Sequence, residues 1–175
     1  MQDKLKTVLD SLLESYDENV KKERKKRKGS KSKHVDFVEE FYQAREEIIW
    51  PAMIEIGQLL KYKAHDSRVE LVDDEFKSVG GTEANICMYI YPNGEGADTS
   101  RAKDYPYLSF TASWHEQVIL IHSNTHIPRR SLSTIAPLRG STGLRGSCTV
   151  KDITEEFVQD EIAKVMKEVF PRART

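Results

Sequence analysis

The hydrophobic period of this chain changes near residue 66, from one repeat every three to four residues to one every two, and that change fixes the fold class. Before it, Leu5, Leu9, Leu12, Tyr16 and Val20 recur at spacings of four, three, four and four, so residues 3–28 read as an amphipathic helix. Gly29 is the natural stop, and GSKSKH over 29–34 is a short polar connection. A second helix is expected from Asp36, where Asp36 and Glu39 have the spacing of a capping box. Phe37, Phe41, Ile48, Ala52, Ile56 and Leu59 then share one face. Pro51 lies inside this pattern; it removes a hydrogen bond and is expected to kink or split the helix near Ile49. Two amphipathic helices joined by a few residues imply an antiparallel helical hairpin.

After residue 66, strands are expected at 67–72, 84–91, 105–112 and 118–122, with a short fifth at 147–150. In the second, Ala84, Ile86, Met88 and Ile90 face one way while Asn85, Cys87, Tyr89 and Tyr91 face the other. Gly80-Gly81, Pro92-Asn93-Gly94 and Ser113–Glu116 mark the turns. Such short connections favour an antiparallel meander. A closing helix starts at the N-cap Thr154, buries Val158, Ile162, Val165 and Val169, and stops at Pro171. The expected fold is α+β: an N-terminal helical hairpin, an antiparallel meander of four to five strands, and a C-terminal helix packed on the sheet. Residues 1–34 form an N-terminal helix with a basic linker, and 35–175 form the α+β domain.

Of the 175 residues, 38% are apolar. The longest nearly apolar stretch, 48–54, is seven residues and includes Pro51, far short of the roughly 20 a spanning helix needs. The first 18 residues mix acids with leucines, unlike a signal peptide. Two cysteines without a CxxC argue against a disulfide scaffold or a structural zinc site. These features lead us to expect a soluble, cytoplasmic protein. In a eukaryotic source, Arg24–Lys28 would also serve as a nuclear address.

The net charge of −1 hides a segregation. Residues 21–33 hold nine bases and one acid, whereas the rest holds 18 bases and 27 acids. A second asymmetry is the stretch 117–151, which contains no Asp or Glu but carries Arg129, Arg130, Arg139, Arg145 and Lys151. Arginine offers a planar fork of donors, and glycines within 128–146 allow backbone N–H groups to approach an anion. Lys25, Lys26 and Lys28 with Arg129, Arg130, Arg139 and Arg145 are therefore the candidate anion or nucleic-acid contacts. Their ordinary alternative is a solvated helix end and a surface loop whose arginines pair with acids of the same chain.

No catalytic constellation is legible. GxSxG, HExxH and the Walker A pattern are all missing, and no cofactor motif is present. His122 and His126 have helical ligand spacing but fall at a strand end, where their rings do not converge; no metal site is assigned. Cys87 is expected to be a buried, inert thiol. Cys148 is expected to be more exposed, with Arg145 near enough to lower its pKa. Asp73-Asp74-Glu75 is expected to face water. The sequence thus points to a non-catalytic binding or adaptor protein. Its partner would be another protein or a second copy, met through the N-terminal helices, with Leu5, Leu9, Leu12 and Tyr16 as the contact stripe. The alternative is a nucleic-acid-binding protein using 21–33 and the arginine-rich loop 128–146.

Overall fold

Helical periodicity over 33–62 and two-residue alternation in the inner strands after residue 66 are both realised in the computed structural model, which describes Glu18 and residues 33–75, 81–94, 104–128 and 140–170. The chain divides into two units, Met1–Phe37 and Val38–Thr175. In the first, Glu18 and residues 33–37 are helical, with His34 and Phe37 buried. The remaining elements belong to the second.

Residues 33–62 are helical throughout and are called α1. The described N-terminal part is therefore one helix and not a hairpin. Residues 3–28, expected to form the other arm, lie outside the described residues except for Glu18. The helix is already running at Lys33, so Asp36 is not its N-cap, and Lys33 and His34, expected in the polar connection, are helical.

Pro51 neither splits nor ends α1. A five-residue π turn, Arg45–Ile49, precedes it, and the Trp50 N–H donates to the Arg45 carbonyl, five residues back. In a regular α-helix the proline ring would collide with the carbonyl four residues earlier. The wider turn absorbs that conflict, and Trp50–Tyr62 continues as α-helix. At the other end the His65 N–H bonds the Leu60 carbonyl at 3.0 Å and the Ala64 N–H bonds the Lys61 carbonyl at 3.1 Å. This closure needs a left-handed residue, and Ala64 supplies it at φ 62° where glycine is usual. That substitution is why the sequence shows no obvious stop here.

Five strands follow: β1 Asp66–Val72, β2 Asn85–Tyr91, β3 Tyr107–Ser113, β4 Val118–Asn124 and β5 Thr142–Cys148. They pair antiparallel in sequence order, a meander with β1 and β5 at the edges. Ile86, Phe110 and Ile121 lie in register across the three inner strands, as do Met88 and Leu108, and all five are buried. α1 packs on β1, and the C-terminal helix α2, Glu155–Val169, packs on β3 and on α1. Gly57 brings α1 close to the sheet: a Cβ there would stand 2.6 Å from the Ser67 hydroxyl oxygen. α2 starts where the sequence places it. The Thr154 hydroxyl accepts from the Phe157 N–H at 3.2 Å, and Val158, Ile162, Val165 and Val169 are buried.

β2 is buried on both faces, with Cys87, Tyr89 and Tyr91 covered on the side away from the Ile86 row. Tyr107 lies opposite Tyr89, their rings edge-on at 6.0 Å, and Tyr105 meets Tyr91 edge-on at 5.1 Å. Tyrosine rings thus give the second sheet face an apolar layer of its own.

β5 differs most from expectation. It covers 142–148, so the last residues of the supposed loop 128–146 are strand. The pairing with β4 is irregular: Ile121 faces Gly146 while His122 faces Leu144, and Arg145 is the extra residue between them. A bulge of this kind breaks the two-residue alternation and re-aims a side chain. That is why the sequence placed this strand only at 147–150, overlapping its end, and read the rest as loop.

Candidate functional site

Arg145, inserted by the bulge, turns toward α2. Its guanidinium donates to Glu168 Oε1 at 2.8 Å and to the Ser123 hydroxyl at 3.1 Å, and its Nε is 3.9 Å from Glu161 Oε2. Glu161 is buried and also pairs with Lys164. The other oxygen of Glu168 accepts from the Thr125 hydroxyl at 3.1 Å and the Ser141 hydroxyl at 2.9 Å. The Arg145 contact, aided by these two hydroxyls, holds the Glu168 carboxyl below the usual carboxylate range. Thr125 and Ser141 are joined directly as well, N–H to carbonyl at 2.9 Å and N–H to hydroxyl at 2.8 Å. Gly140 fits there because a side chain would strike His126, 2.6 Å from Nδ1. The chain leaving β4 and the chain entering β5 are therefore pinned together at the last turn of α2.

Of the seven residues expected to meet an anion, Arg145 alone lies within the described residues, and its guanidinium is held by two carboxylates of α2. Arg129, Arg130, Arg139, Lys25, Lys26 and Lys28 lie outside them, as do the contact-stripe residues Leu5, Leu9, Leu12 and Tyr16. Glu168 was missed because a glutamate in the last turn of an amphipathic helix looks solvated; its only sequence signal is that it opposes the helix dipole.

The thiols are poor nucleophiles. Burial pushes Cys87 up to about 12. Cys148 is pushed up to about 11 by burial and by Asp152 and Glu161, opposite to the lowering expected from Arg145, which is committed to its own acids. Tyr89, Tyr91 and Tyr107 are raised too, chiefly by burial. The Tyr91 hydroxyl is buried without a hydrogen-bond partner. Among the described residues, no group of three or more His, Cys, Asp and Glu side chains is placed to hold a metal ion. No helix among them is long and apolar enough to cross a membrane. Asp73, expected to face water, also receives the Arg45 guanidinium at 2.9 Å.

What the described surface does offer is a set of exposed apolar side chains on α1. Trp50, Ile54, Leu59 and Tyr62 are exposed, Tyr62 at 85%. Trp50, Ile54 and Gln58 follow each other at intervals of four, with Lys61 one turn on. Trp50 and Ile54 are four residues apart and Leu59 and Tyr62 three apart, so the four form two exposed pairs on different sides of the helix. Comparison with protein families, curated proteins and solved structures finds no match for this chain.

Proposed function

We propose that this is a non-catalytic binding protein whose N-terminal helical region meets a protein partner. The observation that carries the reading is that Trp50, Ile54, Leu59 and Tyr62 are all exposed on α1. Trp50 beside Ile54 and Tyr62 beside Leu59 each set an aromatic ring next to an aliphatic side chain, and aromatic residues are enriched where proteins meet. The protonated thiols and the paired Arg145 add support, since they leave these groups without a nucleophile's or anion-binder's freedom. The contact stripe Leu5, Leu9, Leu12 and Tyr16 belongs to the same reading.

A photo-cross-linking amino acid at position 54 of the full chain tests it. A discrete adduct from position 54, and none from the same probe at Gln159 on the outside of α2, is the expected result. Equal, diffuse labelling from both positions would overturn it.

Nucleic-acid binding through 21–33 and 128–146 is the second reading. What favours it is the pinned base at Thr125 and Ser141, which presents an acid-free, arginine-bearing segment from a fixed point. A gel shift over a salt series tests it: affinity must fall steeply with salt, and less steeply once Lys25, Lys26 and Lys28 are neutralised.

A further inference from the structure

We infer that the outer edge of β1 takes up an extended segment of a partner protein as a sixth, antiparallel strand, in which a base, an apolar residue and an acid follow in that order. This rests on the reading of α1 as a contact surface and names the chemistry of what is met there.

The ladder fixes which backbone groups of β1 face outward. The Ile90 N–H bonds the Pro106 carbonyl at 2.8 Å, and the Ala84 carbonyl accepts from the Ala112 N–H at 2.9 Å, so the even-numbered residues of this stretch turn toward β3. Cys87, Tyr89 and Tyr91 therefore turn toward β1, where they face Glu70, Arg68 and Asp66. That leaves the N–H and C=O groups of Ser67, Val69 and Leu71 directed away from the sheet. Among the described residues β1 pairs with β2 alone. The Asp66 carboxylate accepts from the Ser67 N–H at 2.8 Å, and the donors of Val69 and Leu71 remain.

The two edges of the sheet are not equally guarded. β5 carries a bulge and has Gly143 at φ 127°, features that blunt an edge for pairing. β1 runs seven residues in unbroken register without glycine or proline. Ser67, Val69 and Leu71 share the side of α1, while Arg68 and Glu70 stand on the other, paired with each other at 3.0 Å. α1 runs along the strand, with Arg45 reaching Val72 and Gly57 lying at Ser67. Trp50 is two turns from Gly57 and therefore on the same side of the helix. Toward β2 it would be buried; being exposed, it stands with Ile54 over the open side of β1, where Leu71 is exposed as well. A sixth strand thus sets apolar side chains toward Trp50 and Ile54, an acid opposite Arg68 and a base opposite Glu70. β1 of a second copy has the same pattern, but it brings its own α1 onto the same face. Neighbouring strands lie about 4.8 Å apart and packed helices about 8–10 Å, so the two helices would crowd. A lone segment brings no helix.

An acetylated, amidated peptide repeating residues 66–72 supplies this pattern by itself. Its binding to the full chain is read by fluorescence anisotropy and by amide hydrogen exchange. We expect a Kd of about 0.1–1 mM. Exchange slows at Val69 and Leu71, while Arg68 and Glu70, already bonded inward, do not change. A peptide with its arginine and glutamate exchanged binds about ten-fold more weakly. The double variant Arg68→Glu/Glu70→Arg reverses that preference, which general stickiness does not do. No binding up to about 2 mM, equal affinity for the two peptides, or protection elsewhere than at Val69 and Leu71 overturns the inference. Concentration-dependent dimers that protect the same two amides make the second copy the occupant and overturn it too. If the peptide fails to bind while position 54 still cross-links one other protein, the sixth strand falls and the binding reading stands.

Discussion

Two arginines fasten helices to opposite edges of the sheet, and they do so in reverse directions. Arg45 stands on α1, in the π turn, and reaches the end of β1. It donates to the Val72 carbonyl at 3.3 Å and to Asp73 at 2.9 Å, over the ring of Tyr42 at 4.5 Å. Arg145 stands on the edge strand β5 and reaches α2. Arg45 is 5% exposed and its Nε is buried without a partner, while its acid, Asp73, is 76% exposed on the side chain. Around Arg145 both acids are more enclosed than Asp73, Glu161 at 10% and Glu168 at 36%, and the hydroxyls of Ser123, Thr125 and Ser141 complete the set. The lesson is that Arg45 acts chiefly as a long packed stem with an ion at its tip. Arg145 acts as a member of a hydrogen-bond network.

The largest effect sharpens this contrast at Arg45. Arg45→Ala removes a buried stem and the hydrogen bonds to Val72 and Asp73, and we expect a loss of about 3 kcal/mol in urea unfolding. Arg45→Met keeps much of the volume and also removes the unpartnered Nε, so it should lose well under half as much. If Met is as damaging as Ala, the stem is not what matters and the contrast fails.

Glu168→Gln comes next, with an expected loss of about 1–2 kcal/mol near neutral pH, kept modest because the site is partly solvated. Its sign with pH is fixed. The folded-state pKa of Glu168 is lowered, so its contribution is present above the unfolded carboxylate value of about 4.3 and is lost as pH falls through the folded value. The gap between wild type and variant should close on acidification, as followed by melting temperature. A gap that persists at the lowest pH would remove Glu168 from the network as an ion.

The smallest effect is at Asp73. Because water can replace an exposed carboxylate, Asp73→Ala should cost no more than about 0.5–1 kcal/mol despite the 2.9 Å contact. A loss as large as that of Arg45→Ala would make Arg45 a network arginine like Arg145.

How much of this was legible follows from which residues obey local periodicity. Ile86, Met88 and Ile90, and Val158, Ile162 and Val165, announce their elements because each pattern is unbroken. Thr154 gave its cap away by type and position. β5 showed only its end, at 147–150, because Gly143, Gly146 and the bulged Arg145 interrupt the alternation of a strand that pairs on one side only. The π turn at Arg45–Ile49 is a tertiary answer to Pro51, and no residue within it signals the extra backbone step. The Arg145–Glu168 and Arg45–Asp73 contacts join residues 23 and 28 positions apart, so only the folded sheet reveals them.

The pin at Thr125 and Ser141 has a consequence for the gene as well as the fold. Because the two residues are bonded to each other and to Glu168, the sheet's register no longer depends on how much chain runs between them. Doubling that span costs only about 0.6 kcal/mol in closure entropy. This makes the β4–β5 junction a tolerant splice point, where insertions, a grafted domain or new termini from circular permutation leave the meander standing.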